Sequence, residues 1–217
     1  VESEGSTPSE RVVYDTMRRV IERSKGQVII ATFASNISRL KMALDAAERS
    51  GRKVAVAGRS MEQSSRVAQE LDYLDPEPGL LISLEEALRL PPERRLLVVT
   101  GSQGEPAAAL ARIAMGAHPK LRVSRGDVVI ISASPIPGNE ETVSRTIDNL
   151  FRRGCEVVYS AIERGVHVSG HAGRDELKKM IELVQPKFVV PIHGEYRHMA
   201  LYRELAKSAG IPYEHVF

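Results

Sequence analysis

Short apolar runs rich in β-branched residues, separated by helical stretches, constrain this chain more than any other feature. They lie at Gln27–Thr32, Val54–Ala57, Leu96–Val99, Val128–Ala133, Glu156–Ser160 and Lys187–Ile192, with a last one at Tyr213–Phe217. Most are continuous rather than alternating, the pattern of a strand covered on both faces. Between them apolar residues recur at helical spacing, as at Val12, Val13, Met17, Val20 and Ile21, or at Leu40, Ala43, Leu44 and Ala47. Strand and helix in alternation predict an α/β fold with a mainly parallel sheet flanked by helices. No internal repeat is visible.

The punctuation is equally regular. Thr7-Pro8-Ser9-Glu10 reads as a helix start, with Thr7 as cap, Pro8 at the first helical position and Glu10 closing a capping box. Asn36 or Ser38 caps the next helix, which ends at Gly51. Pro106 opens an alanine-rich helix, and Arg174 to Val184 forms another.

Composition narrows the class. The 217 residues, 42% hydrophobic and 27% charged, suit one large domain or two small ones. No apolar run approaches the ~20 residues of a membrane span. The acidic start Val1–Gly5 is unlike a signal peptide. The single cysteine, Cys155, excludes an internal disulfide framework and leads us to expect a cytoplasmic location. A net charge of +2 neither demands nor forbids a nucleic-acid partner.

The turns after the strands carry the chemistry. In His167-Val168-Ser169-Gly170-His171-Ala172-Gly173, two imidazoles and a hydroxyl share a glycine-flanked segment that opens a helix. Such a turn suits an anion such as phosphate, or is an ordinary polar loop. His193-Gly194-Glu195 closes a buried-looking strand, so His193 is either a metal ligand or a capped, hydrogen-bonded histidine. His198, on the following helix, reads as surface. Ser102-Gln103-Gly104-Glu105 precedes a helix as a possible phosphate cradle without P-loop spacing. Phe33-Ala34-Ser35-Asn36 and Gly58-Arg59-Ser60 are similar turns, each explicable as capping. Cys155 reads as buried, with nothing to make it a nucleophile.

Taken in order, Thr32-Phe33-Ala34-Ser35-Asn36, Gly58-Arg59-Ser60-Met61, Thr100-Gly101-Ser102-Gln103-Gly104-Glu105-Pro106, Pro135-Ile136-Pro137-Gly138-Asn139-Glu140, His167-Val168-Ser169-Gly170-His171 and Pro191-Ile192-His193-Gly194-Glu195 resemble the ribonuclease J family. That family is the β-CASP branch of the metallo-β-lactamase superfamily. The resemblance implies a linker at 1–10, a β-CASP domain at 11–165 and, at 166–217, an incomplete C-terminal segment of a metallo-β-lactamase αββα fold. It implies hydrolysis of RNA, 5′-to-3′ and internally, in mRNA decay and rRNA maturation. A dinuclear centre, zinc with manganese or magnesium as alternatives, serves the reaction in the family. By resemblance His193 is a metal ligand and His171 a catalytic residue that orients the scissile phosphate. His167, Ser169 and Gly170 bind an RNA phosphate, and Ser35, Asn36, Ser102 and Gln103 line the RNA channel.

One departure matters. The family's His-x-His-x-Asp-His motif is absent, so the chain is expected to be a fragment, inactive alone and unable to hold the two ions by itself. RNA, a separate N-terminal metallo-β-lactamase half and further copies of the chain are the expected partners, with no membrane. A non-catalytic RNA-binding or phosphate-binding α/β module is the alternative. The residues from Val166 onward are expected to expose an apolar edge.

Overall fold

The computed structural model describes residues 1–217, which form two compact units, residues 10–167 and residues 1–9 with 168–217. The larger unit runs α1 (Arg11–Arg23), β1 (Val28–Ala31), α2 (Ile37–Arg49), β2 (Lys53–Ala57), α3 (Arg59–Glu70), α4 (Leu84–Arg89), β3 (Arg95–Val99), α5 (Ala109–Ala114), β4 (Val128–Ile131), α6 (Glu140–Arg152) and β5 (Glu156–Val158). Its five strands make one sheet, entirely parallel, in the order β2-β3-β1-β4-β5. Ala31 lies opposite both Val99 and Ile131, so the three central strands end level.

The continuous apolar runs follow from burial on both faces. Ile29, Ala31, Leu97, Val99, Val129 and Ile131 share a core with Leu110 and Ile113 of α5 and Ile147 and Leu150 of α6. The alternate residues Val28, Ile30, Leu96, Val98, Val128 and Ile130 are also buried. They point to the other face, where α1 packs on α2, and α2 and α3 lie against β2. The crossover after β1 therefore leaves on one face, and those after its neighbours β3 and β4 leave on the other. That reversal marks the carboxyl ends of the central strands as the place of the crevice in which open α/β sheets bind ligands.

Local signals set most helix starts. The Asn36 side chain accepts from the Arg39 amide at 3.1 Å, and Ser83 and Glu86 form a reciprocal capping box. The box expected at Thr7 does not form. Helix α1 begins at Arg11 because the Glu10 carboxylate is bound to Arg39 and the Thr7 amide and hydroxyl go to Glu176 and His171. The alanine-rich helix begins at Ala109 rather than Pro106, after a turn in which the Leu110 amide donates to the Thr100 carbonyl.

In the smaller unit, α7 (Arg174–Val184) and α8 (Tyr196–Ser208) enclose a small core of Ile181, Ala206, Ile211 and Val216. The strands expected at Lys187–Ile192 and Tyr213–Phe217 are reduced to one parallel bridge, Val189 to Val216. Pro186 and Pro191 bracket the first segment and cannot donate to a ladder, and a lone pair of short strands is marginal. Ile192 is 90% exposed, Tyr196 88%, Phe217 73% and Leu183 72%, so the expected apolar edge is present. No helix is long and apolar enough to cross a membrane.

The N-terminal residues strap this unit. The Arg174 and Asp175 amides, free donors of the first helical turn, donate to the Ser3 and Gly5 carbonyls at 2.9 and 3.1 Å. One oxygen of Glu176 accepts from the Thr7 and Gly173 amides at 2.9 and 2.8 Å. Those amides, Thr7 first, hold the Glu176 carboxyl below the usual glutamate range. A depressed carboxyl stabilises the fold at pH above its unfolded value and loses that contribution as pH falls through its folded value. Exchange protection of the Thr7 amide is therefore expected to fall below about pH 4, the ordinary glutamate value. Glu176→Ala is expected to abolish that protection at every pH, and protection that survives the substitution would refute the assignment.

Candidate functional site

In the larger unit, three loops meet at the carboxyl ends of β1, β3 and β4. Gln103, 3% exposed, ties two of them together. Its side-chain amide donates to the Ser134 carbonyl at 2.7 Å and accepts from the Ile136 amide at 2.8 Å, while Asn139 donates to its backbone carbonyl at 3.0 Å. Gly104 lets this loop approach α6: its φ is +77°, and a Cβ there would lie 2.7 Å from the Thr142 hydroxyl. Ser102 is equally buried. Ser35 is exposed and Asn36 half-buried, its side-chain oxygen spent on the cap of α2. Phe33 and Ile136 stand exposed on these loops, 40% and 51%. The Thr32 hydroxyl is buried at the end of β1 with no hydrogen-bond partner.

Beneath these loops lies a charge pair that sequence reading missed. Arg39 is 1% exposed, and its Nε and Nη2 each donate to Glu10 at 2.8 Å. Its Nη1 reaches the Ser132 hydroxyl, which donates to the Val166 carbonyl at 2.6 Å. His167 sits beside this network with a buried, unpartnered Nδ1. Burial first, and then the Arg39 guanidinium, push its pKa below the usual histidine value. His167 is therefore neutral at neutral pH, and a hydrogen bond to the Ser132 backbone opposes part of that shift. Arginine inside an apolar helix face is the signal that could have found Arg39, but Asp15 and Glu22 lie nearer in sequence than Glu10, so spacing does not name its partner.

In the smaller unit the structure brings His171 and His193 together. Their rings stack with centroids 5.3 Å apart and planes inclined by 19°. The Ser169 hydroxyl accepts from the His171 amide at 3.0 Å, shaping that turn. No packing demand explains glycine at 170, where a Cβ would meet open space. The amides at the start of α7 are taken by the strap, so an anion cannot use them, contrary to the expectation for this turn. His198 is no idle surface residue: its Nδ1 accepts from the Glu195 amide at 2.9 Å, and Nε2 lies 3.2 Å from Glu2. That clamp orders the turn carrying His193, and Gly194, with φ +115°, passes close over the His198 ring.

The residues present do not make a metal site among themselves. No group of three or more His, Cys, Asp or Glu side chains is placed to hold an ion. Imidazole lone pairs lie in the ring plane, and two nearly parallel stacked planes do not converge on one ion. Cys155 is buried and its thiol is pushed up to about 11 by burial, which leaves it an unreactive thiol.

Residues 25–150 match the family described as Ribonuclease J, beta-CASP domain. Residues 155–216 match the one described as Zn-dependent metallo-hydrolase RNA specificity domain. Among curated proteins, the chain is 42% identical over 212 residues to Ribonuclease J of Synechocystis sp., covering 98% of this chain and 33% of that protein. It is 46% identical over 213 residues to Ribonuclease J of Thermus thermophilus, covering 98% and 37%. With Ribonuclease J2 of Bacillus subtilis it shares 40% identity over 216 residues, covering 100% and 39%. The chain thus spans between about a third and two-fifths of the length of these relatives.

Proposed function

Because the chain belongs to the ribonuclease J β-CASP family, we propose that it works as part of a metal-dependent ribonuclease that hydrolyses RNA phosphodiesters. In this reading residues 11–165 serve as the β-CASP part, and residues 166–217 as the returning segment of a metallo-β-lactamase fold. The observation that carries the reading is the stacked pair of His171 and His193 on two glycine-containing turns, within the segment that matches a metallo-hydrolase RNA specificity domain. His171 orients the scissile phosphate. His193 contributes one ligand to a zinc site whose other ligands lie outside these residues, with manganese or magnesium as alternatives. The exposed apolar residues of the smaller unit support a covering partner, for which we assign a metallo-β-lactamase half, in an oligomer located in the cytoplasm.

RNA binding falls to the crevice in the larger unit. Phe33 and Ile136 offer apolar faces for bases, and Ser35 and Asn36 offer polar groups beside them. Ser102 and Gln103 act through the shape of their loop. His167 in the larger unit and, in the smaller unit, the Ser169 hydroxyl and the open space at Gly170 are each assigned to RNA phosphates.

Incubating the chain with 5′-monophosphorylated RNA and zinc or manganese tests this. Salt-dependent binding without cleavage is expected, weakened about fivefold by His167→Ala, roughly the net loss of one ordinary hydrogen bond, and unchanged by His193→Ala. Cleavage that disappears in His193→Ala would mean a complete site within these residues. Binding of a nucleoside monophosphate but not of an oligonucleotide would replace the reading with a small-molecule phosphate module.

A further inference from the structure

The edge of the larger unit opposite the crevice carries an unbalanced positive charge. Between Glu105 and Asp127 the sequence has no acidic residue, but it has Arg112, His118, Lys120, Arg122 and Arg125. The turn Asn149–Cys155 adds Arg152 and Arg153, again without an acid. The fold joins the two segments. Arg153 Nε donates to the Ala114 carbonyl at 2.7 Å, and the Cys155 thiol lies 3.8 Å from the Ser124 carbonyl. A Cβ on Gly154 would sit 3.2 Å from the Arg125 Cβ. A cleft of about 410 Å³ opens between Ala114, Met115, Asn149, Arg152 and Arg153.

The topology fixes where this is. Helices α5 and α6 start at the carboxyl ends of β3 and β4 and run back, so their last turns reach the amino edge of a parallel sheet.

The nearby acids do not cancel the charge. Asp127 is buried and accepts from the Gln27 side chain and the Ser124 amide. Glu156 pairs with Arg23, and Glu85 with Lys120. Only Asp148 is exposed and unpaired there. Arg112, Arg122, Arg125, Arg152 and Arg153 are exposed and make no ion pair. Arg122 donates to the Leu121 carbonyl of its own loop, and Arg153 to the Ala114 carbonyl at the end of α5, as arginines at helix ends commonly do. Arg112 and Arg125 have no such role, and Arg152 touches only Asn149. Met115 and Phe151, 53% and 49% exposed, stand among them.

Unpaired guanidinium groups interleaved with exposed apolar and aromatic side chains are what single-stranded nucleic acid binds, through backbone charge and base stacking. We propose that this edge is a second contact surface for single-stranded RNA, which takes the sugar-phosphate backbone of a strand extending beyond the crevice. The proposal shares with the proposed function only the choice of RNA, and none of its catalytic roles.

The test compares the wild-type chain with Arg112→Glu/Arg125→Glu/Arg152→Glu, substitutions that remove no side-chain hydrogen bond or ion pair to another element. Binding of a short oligoribonucleotide of about 6 nucleotides and a long one of about 30 is followed by fluorescence anisotropy across a salt series. The variant is expected to bind the long RNA at least tenfold more weakly. Its salt slope is expected to fall by about 2, at ~0.7 per phosphate contact on single strands. Short-RNA affinity and the circular dichroism spectrum stay as in the wild type. Unchanged long-RNA binding would overturn the proposal. Equal loss of short and long RNA would also overturn it, making this edge the sole site. Displacement of RNA by an acidic polypeptide at far lower concentration than by competitor RNA would reassign the surface to a protein partner. A wild-type chain that binds neither RNA would remove the proposed function as well.

Discussion

Glu10→Ala is expected to destabilise the larger unit more than Arg39→Met, although Arg39 is the buried partner. The Glu10 side chain is 45% exposed and that of Arg39 is 1% exposed. Removing the carboxylate leaves a charged guanidinium in the core with its Nε and Nη2 donors unmet. Breaking a buried pair in this way costs about 3–5 kcal/mol. Water can reach the half-exposed position of Glu10, so about 2–4 kcal/mol is expected. Removing the guanidinium instead frees Glu10 to turn into solvent, and Ser132 keeps its bond to the Val166 carbonyl. Methionine fills much of the vacated space, so about 1–2 kcal/mol is expected. Urea unfolding of both single variants and the double variant measures the difference and the coupling. Arg39→Met emerging as the costlier change would mean that packing, not charge, holds this network.

The same pair shows where the sequence was legible and where it was not. Continuous apolar runs such as Val28–Ala31 and Val128–Ile131 announced buried parallel strands because burial on both faces leaves no polar position. Asn36 announced a helix start because its cap is local. Thr7 misled because its local box competed with distant partners. Glu176 takes its amide, His171 its hydroxyl contact, and Arg39 takes Glu10. Contacts that span from 29 to 169 residues leave no trace in local spacing. Lys187–Ile192 misled for a related reason, since β-propensity counts only when neighbouring strands exist to pair with.

Site residues divide the same way. His171 and His193 were both singled out from glycine-flanked turns, yet their stacking depends on the fold of α7 and α8 and could not be read across the 21 intervening positions. His198 passed as surface because a histidine three residues into a helix looks solvent-facing. Only the closeness of Gly194 and the Glu195 amide shows it to be a clamp. Phe33 and Ile136 lay inside motifs already picked out, but an apolar residue in a loop reads as core until its exposure is known.

Gln103→Ala carries the other large effect, because a buried amide is asked to satisfy two backbone groups of a neighbouring loop. Alanine leaves the Ile136 amide and the Ser134 carbonyl without their partner at the carboxyl end of the sheet. Each unmet buried group costs about 1–3 kcal/mol, and partial solvation of an exposed loop brings the total to about 2–3 kcal/mol. The loop Pro135–Asn139 is then no longer held against Gln103, and Ile136 loses its fixed place beside the crevice. RNA affinity is therefore expected to fall about tenfold along with stability, the weight of roughly one base-stacking contact. Gln103→Glu separates positioning from contact. A carboxylate still accepts from the Ile136 amide but repels the Ser134 carbonyl, so exchange protection at Ile136 is expected to persist in part while protection is lost in Gln103→Ala. If Gln103 acts through the loop, affinity follows that protection across the two variants. If instead it touches RNA directly, the added negative charge makes Gln103→Glu the weaker binder of the two, whatever the state of the loop.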